Sequence, residues 1–183
     1  MKHAPIPPVV ISPFANERVR QWPASRYRDM IDIIWRTHGY PVVITGTRSQ
    51  RAAANDLVRG LPSTRVTNAC GTMRWDSLLA AIDAAPFVIA NNSGVAHLAA
   101  ARGRWTLCIF AASHAYNEWM PRGKRVVVVS RALPCSPCDI GTELCPNEVA
   151  CMDLPADEVF WRFHEVRSAA LAAPANADQI PGR

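Results

Sequence analysis

The sequence lacks several features that would assign it to a specialised class of protein. It has no uninterrupted apolar run near the roughly 18 residues that a membrane-spanning helix needs. Its start, MKHAPIPPVVIS, is not expected to act as a secretory leader, because the apolar part is short, is interrupted by prolines and lacks a cleavage site. No internal repeat is present. With 183 residues, 49% of them hydrophobic and 19% charged, the chain is expected to be a cytoplasmic globular protein with one sizeable core.

Basic residues are in excess, but they are not clustered. The net charge is +5 at pH 7, and no block of five basic residues occurs. A solvated basic surface and a site for an anionic ligand or anionic lipid both fit this charge. A metal-finger protein that binds nucleic acid is not expected, because aromatic and basic residues are not interleaved.

The six cysteines fall into two groups. Cys70 and Cys108 stand in apolar contexts and are predicted to be buried. The other four form the pattern C-x2-C-x6-C-x5-C and are Cys135, Cys138, Cys145 and Cys151. Four thiolates suit a tetrahedral zinc or iron ion, which would be structural because no coordination position stays open. Two disulfides or free thiols are the alternatives, and the lack of a leader favours metal over disulfides.

Short apolar runs alternate with helical patterns along most of the chain. The runs VVIS, VVIT, FVIAN, TLCIF and VVVVS predict strands that are buried on both faces. Two helical stripes have apolar residues at i, i+3, i+4 and i+7. The first consists of Tyr27, Met30, Ile31 and Ile34, and the second of Trp75, Leu78, Leu79 and Ile82. This alternation predicts an α/β fold with a Rossmann-like, doubly wound parallel sheet.

Four regions follow from this pattern. Residues 1–131 form the Rossmann-like domain and residues 132–154 the four-cysteine segment. Residues 155–173 form a C-terminal helix that packs on the domain through Val159, Phe163 and Val166, and residues 174–183 are a loose Ala/Pro-rich tail.

The segment ANNSGVAH lies at the predicted carboxyl end of a strand, where open α/β sheets bind ligands. Ser93 is a favourable N-cap, and Gly94 lets a ligand approach the backbone. The first turn of the following helix attracts phosphate, and His97 lies about one turn further on. A plain Asn-Asn-Ser-Gly turn with a structural histidine is the alternative to a binding site.

Several motifs together resemble glycosyltransferase family 9, the ADP-heptose heptosyltransferases of lipopolysaccharide assembly. NNSGVAHLAAARG is similar to the family's NDSG-x-x-H signature. VRQWP, YPVVITGT, ACGTMRWDSLLAAIDAA and the cysteine cluster resemble further family motifs in the same order, so the similarity covers about residues 9–163. The resemblance implies the C-terminal, donor-binding half of a two-domain GT-B fold, without the N-terminal half that contacts the acceptor.

The resemblance also implies roles for individual residues around the donor phosphates and sugar. Arg20, which stands where the family usually has lysine, would neutralise the diphosphate. Ser93, Gly94 and His97 match the phosphate and sugar contacts. Asn92 replaces the family's aspartate, and so keeps the shape but loses the charge.

The nucleoside part of the donor is assigned by the same resemblance. Thr72 and Met73 match the loop that holds the adenine edge, although Met73 also fits a role as core filler. Gln50 falls near the position of an acidic group that binds the ribose hydroxyls.

The function implied is inverting transfer of a heptose from ADP-heptose to a lipopolysaccharide-type or protein acceptor, with no cofactor needed for catalysis. No residue is assigned as the base, although Asp76, Asp83 and Glu118 are available. The alternative is a catalytically inactive nucleotide-sugar-binding module or a truncated remnant.

The expected partners are an ADP-sugar, a separate N-terminal half or protein partner, and the inner face of the cytoplasmic membrane, but not nucleic acid. Some protein-glycosylating heptosyltransferases that resemble the family carry cysteine-bound iron, so the resemblance allows iron as well as zinc at the four cysteines.

Overall fold

The computed structural model describes residues 6–113, 115–139 and 144–172. The chain forms six strands and six helices within these ranges. The strands are β1 (Val9–Ser12), β2 (Val42–Ile44), β3 (Val66–Asn68), β4 (Val88–Asn91), β5 (Thr106–Ile109) and β6 (Val126–Val129). The helices are α1 (Ala24–His38), α2 (Arg51–Val58), α3 (Trp75–Ala84), α4 (Gly94–Ala101), α5 (Tyr116–Trp119) and α6 (Ala156–Ala172).

The strands form one parallel sheet in the order β3-β2-β1-β4-β5-β6. This order is that of a doubly wound Rossmann-like sheet, which confirms the predicted fold class. The direction of winding reverses between β1 and β4, where Val10 pairs with Val88 and Ser12 with Ala90. Ligands of such sheets bind beyond the strand ends at this reversal point.

The sheet is covered on both faces because successive side chains of a strand point in opposite directions. Val9 and Ile11 of β1 belong to the larger core cluster, which also contains buried residues of α1, α2 and α6. Val10 belongs to a smaller cluster with Ile82 of α3 and Ala99 of α4. Helices α3 and α4 therefore share one face of the sheet, and their first turns lie at its carboxyl edge.

Helix α1 follows its predicted stripe, since Tyr27, Met30, Ile31 and Ile34 are all buried. The helix ends where Gly39 adopts a left-handed conformation with φ +69°, which costs a glycine little.

Helix α6 also packs as predicted, because Val159, Phe163 and Val166 are buried. Near its middle, the His164 ring stacks on that of His38 with centroids 5.4 Å apart, joining α6 to the end of α1. None of the described helices is both long and apolar enough to cross a membrane.

Other predictions from the sequence have mixed outcomes. Cys70 and Cys108 are buried, and burial raises the pKa of the Cys108 thiol to about 12. Strand β6 is only partly buried because it lies at the edge of the sheet. The second stripe is wrong at its first residue, since Trp75 is 64% exposed and Ile82 is the fully buried member. The proposed tail, residues 174–183, lies outside the described residues.

Asn91, the last residue of β4, connects three segments through a side chain that is 0% exposed. Its Oδ1 accepts hydrogen bonds from Trp22 N at 3.1 Å and from Tyr27 Oη at 2.9 Å. Its Nδ2 donates to Pro13 O at 2.7 Å. The amide thus ties the end of β4 to both ends of the loop between β1 and α1.

Replacement of Asn91 by alanine is expected to lower the free energy of unfolding by about 2–4 kcal/mol, because buried donors and acceptors would lose their partners. Urea denaturation followed by circular dichroism measures the change. The control is Asn55→Ala, whose exposed side chain accepts one hydrogen bond from Asn68 and should change stability by less than about 0.5 kcal/mol. Equal effects of the two substitutions would contradict the role of Asn91.

Candidate functional site

A cavity of about 410 Å³ lies at the carboxyl edge of the sheet. Its lining comes from the ends of β1, β2 and β4 and from the first turns of α3 and α4. It therefore occupies the reversal point of the sheet and has the size of a small-molecule site. Of the residues predicted from the sequence, six line it: Arg20, Gln50, Met73, Asn92, Ser93 and Gly94.

Three residues of this lining have a buried polar side-chain atom without a hydrogen-bond partner within the described part of the protein. The atoms are Arg20 Nε, Thr45 Oγ1 and Ser93 Oγ. Buried polar atoms are usually satisfied, and leaving one unpaired costs about 1–3 kcal/mol. Because all three residues line one cavity, a polar ligand in it is a candidate for the missing hydrogen-bond partner. Thr45, which is 2% exposed at the end of β2, was not singled out from the sequence.

The start of α4 presents its backbone to the cavity. Ser93 is the N-cap residue, but its side chain makes no capping hydrogen bond. Gly94 is exposed, and an added Cβ would meet no protein atom within 4 Å. Packing within the protein therefore does not require glycine at this position. The lack of a side chain at position 94 would, however, let a ligand approach the open N–H groups of the first turn closely.

Arg20 lies in the short 3-10 turn Arg18–Arg20, which packs through buried Val19. The next residue but one, Trp22, is buried and hydrogen-bonded to Asn91, so the turn is held beside the cavity. Arg20 Nη2 donates to Glu17 Oε1 at 2.6 Å, while Arg20 Nε is unpaired. Part of the guanidinium is thus available for an anion, although Glu17 competes for its charge.

The side chains of Asn92 and His97 contact each other. Asn92 Oδ1 lies 3.2 Å from His97 Nε2. If the histidine donates, the NH₂ group of Asn92 remains for a ligand, and this group donates where an aspartate would accept. An amide at position 92 is therefore compatible with an anionic group in the cavity.

Two other predicted residues are engaged in local hydrogen bonds. Gln50 Oε1 accepts from Thr47 N at 2.9 Å in a capping box, so this oxygen is already engaged within the protein. Thr72 Oγ1 donates to Ala69 O at 2.9 Å, and Thr72 is absent from the cavity lining. His97 likewise is not a lining residue.

The described lining of the cavity includes no carboxylate. Asp76 and Glu118 are not part of it, and Asp83 forms an ion pair with Arg102 that lowers the pKa of the Asp83 carboxyl. Within the described residues, the cavity lining therefore has groups whose chemistry suits an anion but no carboxylate that could act as a general base.

The four-cysteine segment has some features of a thiolate site. Val149 N donates to Cys145 Sγ at 3.3 Å, and Asn147 Nδ2 donates to Cys135 Sγ at 3.4 Å. Burial raises the pKa of the Cys151 thiol, a backbone hydrogen bond at Ala112 lowers it, and the nearby thiols of Cys145 and Cys138 raise it further. However, in residues 6–113, 115–139 and 144–172 no three His, Cys, Asp or Glu side chains are grouped so as to hold a metal ion.

Comparisons of this chain with known proteins agree on one family. The sequence model of glycosyltransferase family 9 (heptosyltransferase) matches residues 2–147. Lipopolysaccharide heptosyltransferase 3 of Escherichia coli is 30% identical over 121 residues, which are 65% of this chain and 35% of that protein.

Solved structures show the same fold. The E. coli ADP-heptose lipopolysaccharide heptosyltransferase II matches with a TM-score of 0.76 and 20% identity, over 91% of this chain and 48% of that one. The dodecameric iron-containing heptosyltransferase TibC of enterotoxigenic E. coli, in complex with ADP-D-beta-D-heptose, matches with a TM-score of 0.70 and 16% identity, over 91% and 47%. The chain spans about a third of the curated relative and about half of these structures.

Substitution of Gly94 by alanine is expected to leave the free energy of unfolding unchanged or to raise it by less than about 1 kcal/mol, because the methyl group meets no protein atom. Gly71→Ala is the contrasting variant. Its φ is +70° and an added Cβ would lie 2.5 Å from Arg48 Cα, so a loss of about 1–3 kcal/mol or more is expected. Thermal and urea unfolding of both variants provides the measurement. A large loss of stability in Gly94→Ala would show that the fold itself requires this glycine.

Proposed function

Since this chain belongs to glycosyltransferase family 9, we propose that it is a donor-binding unit for an ADP-sugar, namely ADP-heptose. The observation that carries the proposal is the convergence of Arg20 Nε, Thr45 Oγ1 and Ser93 Oγ, all unpaired, on the cavity at the reversal point of the sheet. The ADP-D-beta-D-heptose complex of TibC, a protein with the same fold, supports this class of ligand.

The polar groups around the cavity suit a diphosphate. Ser93 Oγ and the open N–H groups at the start of α4 would donate to phosphate oxygens, with the positive end of the helix dipole behind them. Arg20 would contribute the charge, and Thr45 Oγ1 would bond to a neighbouring ligand oxygen.

In a transfer reaction, these groups would favour departure of the nucleoside diphosphate. Negative charge builds up on the leaving diphosphate as the acceptor oxygen attacks the anomeric carbon of the sugar with inversion. Donors that are already held in place stabilise this charge without rearrangement. Arg20, Ser93 and the first turn of α4 would make this contribution, while the acceptor proton would pass to another group.

A second candidate function is a nucleotide-sugar-binding module without turnover of its own. It is favoured by the lack of a carboxylate or histidine in the described lining. A transfer assay with and without a candidate acceptor-binding partner separates the two, because turnover by this chain alone supports an independent enzyme.

The acceptor and the location belong to the same proposal. A lipopolysaccharide-type or protein acceptor would place the protein in the cytoplasm, at the inner face of the cytoplasmic membrane. A separate polypeptide that contacts the acceptor would be its partner.

Titration calorimetry with ADP tests the donor site. ADP is expected to bind, and Arg20→Ala is expected to raise the Kd by roughly 10- to 100-fold, because a hydrogen bond to a charged group contributes about 1.5–3 kcal/mol. Arg18→Ala is the matched control, since Arg18 is exposed on the same turn and does not line the cavity. The Kd of Arg18→Ala for ADP should stay within about twofold of the Kd of the unsubstituted protein.

Two further variants sharpen the interpretation of this titration. Glu17→Gln should strengthen ADP binding, because it removes the negative charge that competes for Arg20. Gly94→Ala should weaken ADP binding while stability is retained. Absence of ADP binding by the unsubstituted chain would refute both candidate functions.

We also propose that Cys135, Cys138, Cys145 and Cys151 bind one structural zinc or iron ion. The proposal is supported by their spacing, by the N–H···S hydrogen bonds to Cys135 and Cys145, and by the iron content named for TibC. The thiols would have to close in to reach tetrahedral geometry. No step of the transfer is assigned to this ion.

Elemental analysis of the purified protein is expected to find about one equivalent of zinc or iron per chain, as four thiolates bind one ion. Cys138→Ser should lose the metal, whereas Cys70→Ala, a change at a buried cysteine outside the segment, should retain it. Metal content far below one equivalent, or an unchanged content in Cys138→Ser, would leave disulfides or free thiols as the state of the segment.

A further inference from the structure

The exposed indole of Trp75 is the feature of the cavity that the proposed phosphate contacts do not explain. Trp75 is the first residue of α3, is 64% exposed and lines the cavity. Among the described residues, no aromatic ring or arginine side chain stacks on it. Trp161 on α6 is similarly exposed at 62%, but it contacts Phe160 and His164 and lies away from the cavity.

Trp75 extends an apolar wall on one side of the cavity. The wall consists of Met73 from the loop before α3, Leu78 from α3, and Val95 and Leu98 from α4. These four are partly buried and pack against the core cluster on this face of the sheet, so they are held in place from behind. The cavity thus combines a supported apolar wall with the unpaired polar atoms of Arg20, Thr45 and Ser93.

This combination matches the two chemical halves of a nucleotide. Phosphates require donors and positive charge, and a base requires a flat apolar surface. Stacking of a base on an aromatic side chain contributes substantially to binding, and it needs an exposed ring beside the path of the phosphates. The indole of Trp75 borders such a cavity and has no stacking partner among the described residues, so it meets both conditions.

We propose that Trp75 is a base-binding residue of the donor site and that its indole stacks on the adenine ring, with Met73 and Leu78 beside it. This inference rests on the proposed function, because it assumes that the diphosphate lies at Arg20 and Ser93. It predicts that Trp75 contributes to the part of the ADP affinity that depends on the base, and not to the part that depends on the phosphates.

Calorimetry with ADP and with inorganic pyrophosphate separates these two shares. Trp75→Leu is expected to raise the Kd for ADP by on the order of tenfold or more and to leave the Kd for pyrophosphate within about twofold. Trp75→Phe should recover most of the ADP affinity, because it restores an aromatic face. Trp161→Leu, with the same change at an equally exposed position, should bind ADP like the unsubstituted protein.

Tryptophan fluorescence gives an independent measurement. ADP should quench part of the emission of the unsubstituted protein and of Trp161→Leu, and the quenching should be lost in Trp75→Phe. Because Trp75 is exposed, thermal unfolding of all variants should be unchanged.

Three outcomes would overturn the inference. The first is ADP binding by Trp75→Leu within twofold of the unsubstituted protein, and the second is quenching that persists in Trp75→Phe; either result assigns the base to another surface. The third is a joint loss of ADP and pyrophosphate affinity in Trp75→Leu, which shows that the effect of Trp75 is not specific to the base. All three leave the donor site in place. Absence of ADP binding by the unsubstituted protein overturns the donor site itself and the role of Trp75 with it.

Discussion

The placement of the candidate ligand groups depends on one buried amide, the side chain of Asn91. This amide accepts from Trp22 N and Tyr27 Oη and donates to Pro13 O, so it fixes the loop that follows β1 against the end of β4. That loop carries Arg20, and the residues directly after Asn91 begin α4. The cation and the helix start are therefore held beside the same cavity by one buried connection, an arrangement that suits an anion.

The cavity is polar where these two elements meet and apolar where α3 and α4 begin. Both features have the same origin, because the winding of a doubly wound sheet reverses between β1 and β4 and leaves a crevice at the strand ends. Side chains that would close the crevice are missing at Gly94, while Thr45 and Ser93 leave hydroxyl groups unpaired within it. Leaving these groups unpaired lowers the stability of the fold, as is common at functional sites.

Much of the fold could be predicted from the pattern of apolar residues. Uninterrupted apolar runs and the 3.6-residue period of an amphipathic helix describe burial directly, so the strands and the stripe of α1 were found, and the parallel sheet followed from their alternation. The same rule failed at Trp75, because α3 begins at the rim of the cavity and the side chain of its first residue borders the cavity instead of the core. Thr45 was missed because a threonine at a strand end carries no signal until its hydroxyl is seen to be unpaired.

The two adjacent asparagines, Asn91 and Asn92, show which features the sequence determines and which depend on the tertiary structure. The sequence by itself determined that ANNSGVAH is a strand–turn–helix junction with Ser93 and Gly94 at the helix start, since local propensities and caps decide this. The resemblance had already assigned Asn92 to the donor site, but only the tertiary structure showed that Asn91 is the structural residue of the pair. The physical reason is that neighbouring side chains on a strand point to opposite sides, and the partners of Asn91 come from segments more than 60 residues away, as the bonds to Trp22, Tyr27 and Pro13 show.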